Sequence, residues 1–118
     1  MRQIVSDDAI QAAFDYLNEQ GGAAAQAKAD LIIAEFRRKK VRAQLILKSE
    51  EKTMGLREAE ADCHPDYWDA CQAEAAAVKE VGWHQHQRAR ADAICSAWQT
   101  QESSRRALGR VVASVTPA

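Results

Sequence analysis

PDYWDACQAEAAAVKEVGWHQHQRARADAICSAWQTQESSRR, residues 65–106, reads as one helix of roughly forty residues. Within it no Pro follows Pro65, and Gly82 is the single Gly. Ala, Glu, Gln and Arg fill the rest, residues that lose little conformational freedom in a helix. Pro65 at the first helical position and Asp66 just inside it suit a helix start. Tyr67, Cys71, Ala75, Val78 and Val81 mark one side, and Ile94, Cys95 and Trp98 continue further along.

Working back from this stretch, Cys63-His64-Pro65-Asp66 is a turn, and a second long helix spans about residues 23–62. Leu31, Ala34, Val41 and Leu45 form its stripe, widened by Ile32, Phe36, Ala43, Ile46 and Leu47. Gly55 is its weak point, about 1 kcal/mol poorer than Ala, and a kink or fray is expected there. Before it, Ser6 is an N-cap with Asp7 and Asp8 in the first turn. Ile10, Ala13, Phe14 and Leu17 then recur at helical spacing, giving a short first helix over about residues 7–20. Gly21-Gly22 is expected to end it through a left-handed glycine cap. Beyond Arg106, Gly109 and the β-branched Val111, Val112, Val115 and Thr116 suggest a frayed tail over 107–118.

No period-two alternation appears, so the class is all-α, one domain of 118 residues. Two helices of roughly 40 residues joined by a short turn lie antiparallel, with the short first helix folded back near the open end. So thin a helical hairpin, akin to a coiled coil, buries little core, and a homo-oligomer is expected. No apolar run reaches the ~18 residues of a membrane span, and the start of the chain lacks the pattern of a signal peptide. Three cysteines, none in a CxxC, fit reduced thiols in a cytoplasm.

The net charge is only −1, but the charges are segregated. Residues 37–48 hold Arg37, Arg38, Lys39, Lys40, Arg42 and Lys48 with no acid among them, whereas the charged residues of 50–80 are mostly acidic. With the turn centred near residue 64, residue i faces roughly residue 128 minus i, which sets the basic run beside His84, His86, Arg88 and Arg90. The outcome is a mid-helix basic belt of Arg37, Arg38, Lys39, Lys40, Arg42, His86, Arg88 and Arg90, with Trp83 beside it. Such a belt suits phosphate, because each neutralised phosphate releases counterions, and Trp83 adds a stacking face. The alternatives are a plain solvated face, or docking onto an acidic surface such as the acidic tip of another copy, and the overall pI of 6.3 is low for a dedicated DNA binder. Trp68, Trp83 and Trp98 recur every fifteen residues. Trp98 is read as core, and Trp83 as exposed and suited to a partner.

Cys63, His64, Cys71, His84, His86 and Cys95 are zinc-ligand types without zinc-site spacing, so they are read as packing and surface residues and no metal is expected. There is no glycine-rich phosphate loop, nucleophile elbow or paired catalytic carboxylates, and a thin helical fold offers no deep pocket. The expectation is no enzyme, no cofactor and no small-molecule substrate.

The turn His64-Pro65-Asp66-Tyr67, the segment Phe36-Arg37-Arg38-Lys39-Lys40-Val41, and the stretch from Trp98-Gln99-Thr100 to Arg105-Arg106 together resemble a group of small helical proteins of tailed bacteriophages and prophages. These are encoded near recombination and replication genes. The resemblance covers about residues 8–106, although Gln99 and Ser104 stand where the group would carry Arg and Asn. It implies a bacterial host cytoplasm and an accessory role on DNA or on a recombination or replication partner. A protein-interaction module or inhibitor of a host protein, with no nucleic-acid contact, is the alternative.

Overall fold

In the computed structural model, which describes residues 5–115, the chain is all-α: α1 Asp7–Glu19, α2 Gly21–Lys48, α3 Met54–Asp62 and α4 Pro65–Val115. Ser6 caps α1 by accepting a hydrogen bond from the Ala9 amide at 3.1 Å. The α1–α2 joint departs from the expected glycine cap. Gln20 (φ −98°, ψ 0°) ends α1, its amide bonded to the Tyr16 carbonyl, and α2 starts at Gly21 itself. No glycine among the described residues has positive φ.

The second long helix is two helices, and the break lies before Gly55 rather than at it. Ser and Thr side chains offer the backbone partners that compete with a helix. Ser49 Oγ accepts from the Glu51 amide at 3.2 Å and donates to the Glu60 carboxylate. Thr53 Oγ1 accepts from the Leu56 amide at 3.2 Å and so caps α3, leaving Gly55 inside its first turn. Arg57 Nε donates to the Glu51 carbonyl at 2.7 Å and holds the intervening loop. At the next joint His64 Nδ1 accepts from the Asp66 amide at 3.0 Å, ahead of Pro65 at the head of α4.

Helix α4 also outruns its expected end at about 106, continuing to Val115. Once a helix is nucleated each added residue gains a backbone bond, and Gly109 costs only about 1 kcal/mol. Residues 116–118 of the expected tail lie outside the described residues, including Thr116.

Contacts divide the chain into two compact units, Gly22–His84 and Met1–Gly21 with Gln85–Ala118. In the first, α2 presents Ala24, Ala27, Leu31, Ala34, Arg38, Val41 and Leu45, all buried or half-buried, at alternating steps of three and four. This is the seven-residue repeat of a coiled-coil seam. Its partner on α4 is Tyr67, Ala70, Glu74, Ala77, Val81 and His84 at the same steps. Ala75 and Val78, expected on that side, are exposed instead. Going back from Ser49, just beyond α2, to Arg42 and Arg38 within it, the bonded partner advances from Glu60 to Asp62 to Glu74, so the packing is antiparallel.

In the second unit α1 runs antiparallel along α4. Gln101 bonds Val5 twice, donating to its carbonyl at 3.2 Å and accepting from its amide at 2.9 Å. Phe14 meets Trp98 edge to face, with ring centroids 6.2 Å apart. The α4 seam here is Gln87, Ala91, Ile94, Trp98 and Gln101. Between His84 and Gln87 the alternation takes one step of three out of turn, and such a stammer shifts the seam's phase. It falls at the boundary between the units.

Among the described residues the buried positions are Ile10, Ala13, Ala27, Ala61, Ala70 and Ala91. Five of these six are alanines, so close helix approach rather than bulky packing holds the elements together.

Candidate functional site

The large apolar side chains that the core does not use are on the surface. On α2, Ile32, Ile33, Phe36 and Leu47 are 54%, 55%, 67% and 81% exposed. At 100° per residue they fall on the side of α2 away from the Leu31–Arg38–Leu45 seam, and Ala43 and Lys40 share that side. Four positions expected to widen the buried stripe (Ile32, Phe36, Ala43 and Leu47) therefore form an outer stripe instead, while Ile46 is half-buried.

The basic run is split by its partners. Arg38 sits in the seam at the gap between Ala34 and Val41, and its Nε donates to the Glu74 carboxylate. Glu74, not Arg90, is the α4 residue that Arg38 meets, because the break at 49–53 and the separate α3 shift the register away from a turn centred at residue 64. Arg42 Nε donates to Asp62 Oδ1 at 2.7 Å, likewise in place of the expected His86. The carboxylate of Glu74, with Tyr67 beside it, raises the Arg38 pKa above its ordinary value, and Asp62 does the same for Arg42. Both guanidinium groups are thus fixed charges engaged inside their unit.

Arg37, Lys39 and Lys40 are exposed and make no ion pair among the described residues. They surround Phe36 within one turn, joining three cations to an apolar stripe. His86, Arg88 and Arg90 belong to the other unit and are exposed. Arg90 helps to line a shallow 310 Å³ groove between α1 and α4, with Ala12, Tyr16 and Ile94. His84 is half-buried, its Nε2 3.3 Å from the Glu80 carboxylate one turn earlier.

Trp83 is 56% exposed and Trp68 63%, both on the side of α4 away from the seam. Trp98 is half-buried against Phe14. Sequence reasoning missed Gln101, which bonds the backbone of Val5 just before α1, and His64, which caps α4. A polar residue at a seam step was the available sign of the first, and a side-chain acceptor before Pro65 of the second. All three cysteines are free thiols, Cys63 exposed and the others half-buried. No three His, Cys, Asp or Glu side chains gather as a metal site among the described residues, and no described helix is long and apolar enough to cross a membrane.

Comparison of the chain with protein-family models, curated proteins and solved structures finds no match.

Proposed function

We propose that this protein works by binding rather than by catalysis, and that the outer face of α2 is its contact surface. One observation carries the reading: alanines occupy the interior while Ile32, Ile33, Phe36 and Leu47 face outward in a helical stripe. Exposed apolar stripes rimmed by charge are characteristic of interaction sites. The partner that fits is an acidic amphipathic helix, whose apolar side covers Phe36 and whose carboxylates meet Arg37, Lys39 and Lys40. A nucleic acid would use those cations but leave the aliphatic stripe uncovered, and Arg38 and Arg42 are already engaged. On the resemblance to phage proteins, the partner would be a host or recombination protein in a bacterial cytoplasm.

The test is fluorescence anisotropy with two labelled probes, a leucine–glutamate heptad peptide and single- or double-stranded DNA, each at two salt concentrations. The reading expects peptide binding that both Phe36→Ser and Lys39→Glu/Lys40→Glu abolish. DNA binding lost with Lys39→Glu/Lys40→Glu but unchanged by Phe36→Ser would transfer the surface to nucleic acid. Binding of neither probe would retire this face.

A further inference from the structure

The outer face of α2 keeps the same seven-residue period as the covered one. Ala29, Ile33, Phe36, Lys40, Ala43 and Leu47 follow one another at alternating steps of four and three, and every one of them is exposed. At 100° per residue they lie within about 40° of the direction opposite Arg38, which stands in the inner seam. Helix α2 therefore carries two coiled-coil seams back to back, and the outer one runs for about 27 Å. Such a repeat is matched by another helix lying lengthwise, whose side chains recur at the same period. An extended peptide or a nucleic-acid backbone has no matching period. Lys40 is the single charged residue of the outer seam, between Phe36 and Ala43, and makes no ion pair among the described residues. The inner seam holds a similar cation and already has its answer: Arg38, between Ala34 and Val41, meets Glu74 from a seam position of α4.

Resting on the reading of this face as the contact surface, we infer that its partner is a helix with a carboxylate inside its own apolar seam, level with Lys40. That pair sets the register of the two helices, because a single polar residue in a seam selects partner and alignment at a cost in stability. A basic or apolar layer over Lys40 takes its ammonium out of water with nothing to compensate, whereas a facing Asp or Glu offsets the loss. Arg37 and Lys39 flank the seam on its two sides. As rim charges they remain in water and add attraction without fixing register.

The same residue opposes a second copy that presents this stripe. Laid parallel, the second copy sets Lys40 level with Lys40. Laid antiparallel in full overlap, it sets Lys40 level with Phe36, and the stripe holds no acid to answer either arrangement. Lys40 thus keeps an apolar face from closing on its own copy while leaving it open to an acidic helix.

The experiment measures anisotropy of three labelled leucine heptad peptides with the full chain. The peptides carry glutamates at the flanking positions and differ only in having Glu, Leu or Lys at one central seam position. The parent chain should bind the Glu peptide roughly tenfold more tightly than the Lys peptide, and Lys40→Glu should invert that order. Lys39→Glu, beside the seam, should weaken all three without changing their order. Peptides bound alike by the parent and by Lys40→Glu overturn the seam pairing and leave the face as a contact surface. Binding of none of them overturns the face itself and this inference with it. In sedimentation of the chain alone, Lys40→Leu should self-associate more strongly than the parent, and adding Phe36→Ser should remove the gain. Self-association of the parent that Lys40→Glu abolishes would give the face to a second copy and overturn the assignment.

Discussion

Arg38 occupies a seam position where the seven-residue repeat of α2 asks for an apolar side chain, between Ala34 and Val41. Its partner Glu74 occupies a seam position of α4, so the pair bridges two helices at their interface and is about three-quarters shielded from solvent. Removing one partner leaves the other charge in that interface, whereas replacing both with apolar residues of similar size removes the desolvation cost as well. Arg38→Ala should therefore lower the thermal midpoint clearly, and Arg38→Leu/Glu74→Leu should restore it to the parent value or above, measured by circular dichroism. Arg42→Ala, at a more exposed pair, should cost less. The sign of the pH effect follows from the raised guanidinium pKa values. Stability from a raised pKa is complete below the ordinary arginine value and is lost only above it, so from the arginine side neither pair weakens between pH 5 and 10.

The helix boundaries turn on side chains that serve the backbone. Thr53 caps α3 through the Leu56 amide, and losing that bond in Thr53→Ala should cost about 1 kcal/mol, read from urea denaturation. Gly82 lies inside α4 without positive φ, and a Cβ built there meets nothing within 4 Å. Gly82→Ala should thus stabilise the chain by up to about 1 kcal/mol in the same measurement. A loss of stability there would mean that the stammer beside it needs a flexible residue. The break at 49–53 was half legible in advance. The weakness of the second helix was expected, but it was assigned to Gly55 on intrinsic propensity, and the capping power of Ser49 and Thr53 decided its place.

At the scale of the whole molecule, an interior of alanines makes the chain's stability uneven. Where small residues are shielded by a partner helix, opening requires separating the pair, and where the helix stands exposed it frays alone. Hydrogen exchange should find the slowest amides near Ala61, Ala70 and Ala91 and the fastest helical amides in 103–115. Flat protection across all of α4 would contradict the distribution of burial.

The all-α class, Ser6 as cap, the turn before Pro65 and the Leu31–Leu45 stripe were all readable from spacing and local chemistry, because each depends on neighbours within a few residues. Trp83 as an exposed residue and Trp98 as a packed one were read correctly on the same grounds. Tertiary structure alone decided the register and therefore which cations are engaged. Arg38 and Arg42 looked like members of one basic run with Arg37, Lys39 and Lys40; the gap in the stripe at residue 38 marked the face of Arg38, but nothing local named the partner of either arginine. Only the packing of α2 on α3 and α4 turned those two towards Glu74 and Asp62 and left the other three on the surface with Phe36. A helix repeats its own geometry from residue to residue, but which of its faces is covered is set by the partner helix, and that partner is distant in sequence.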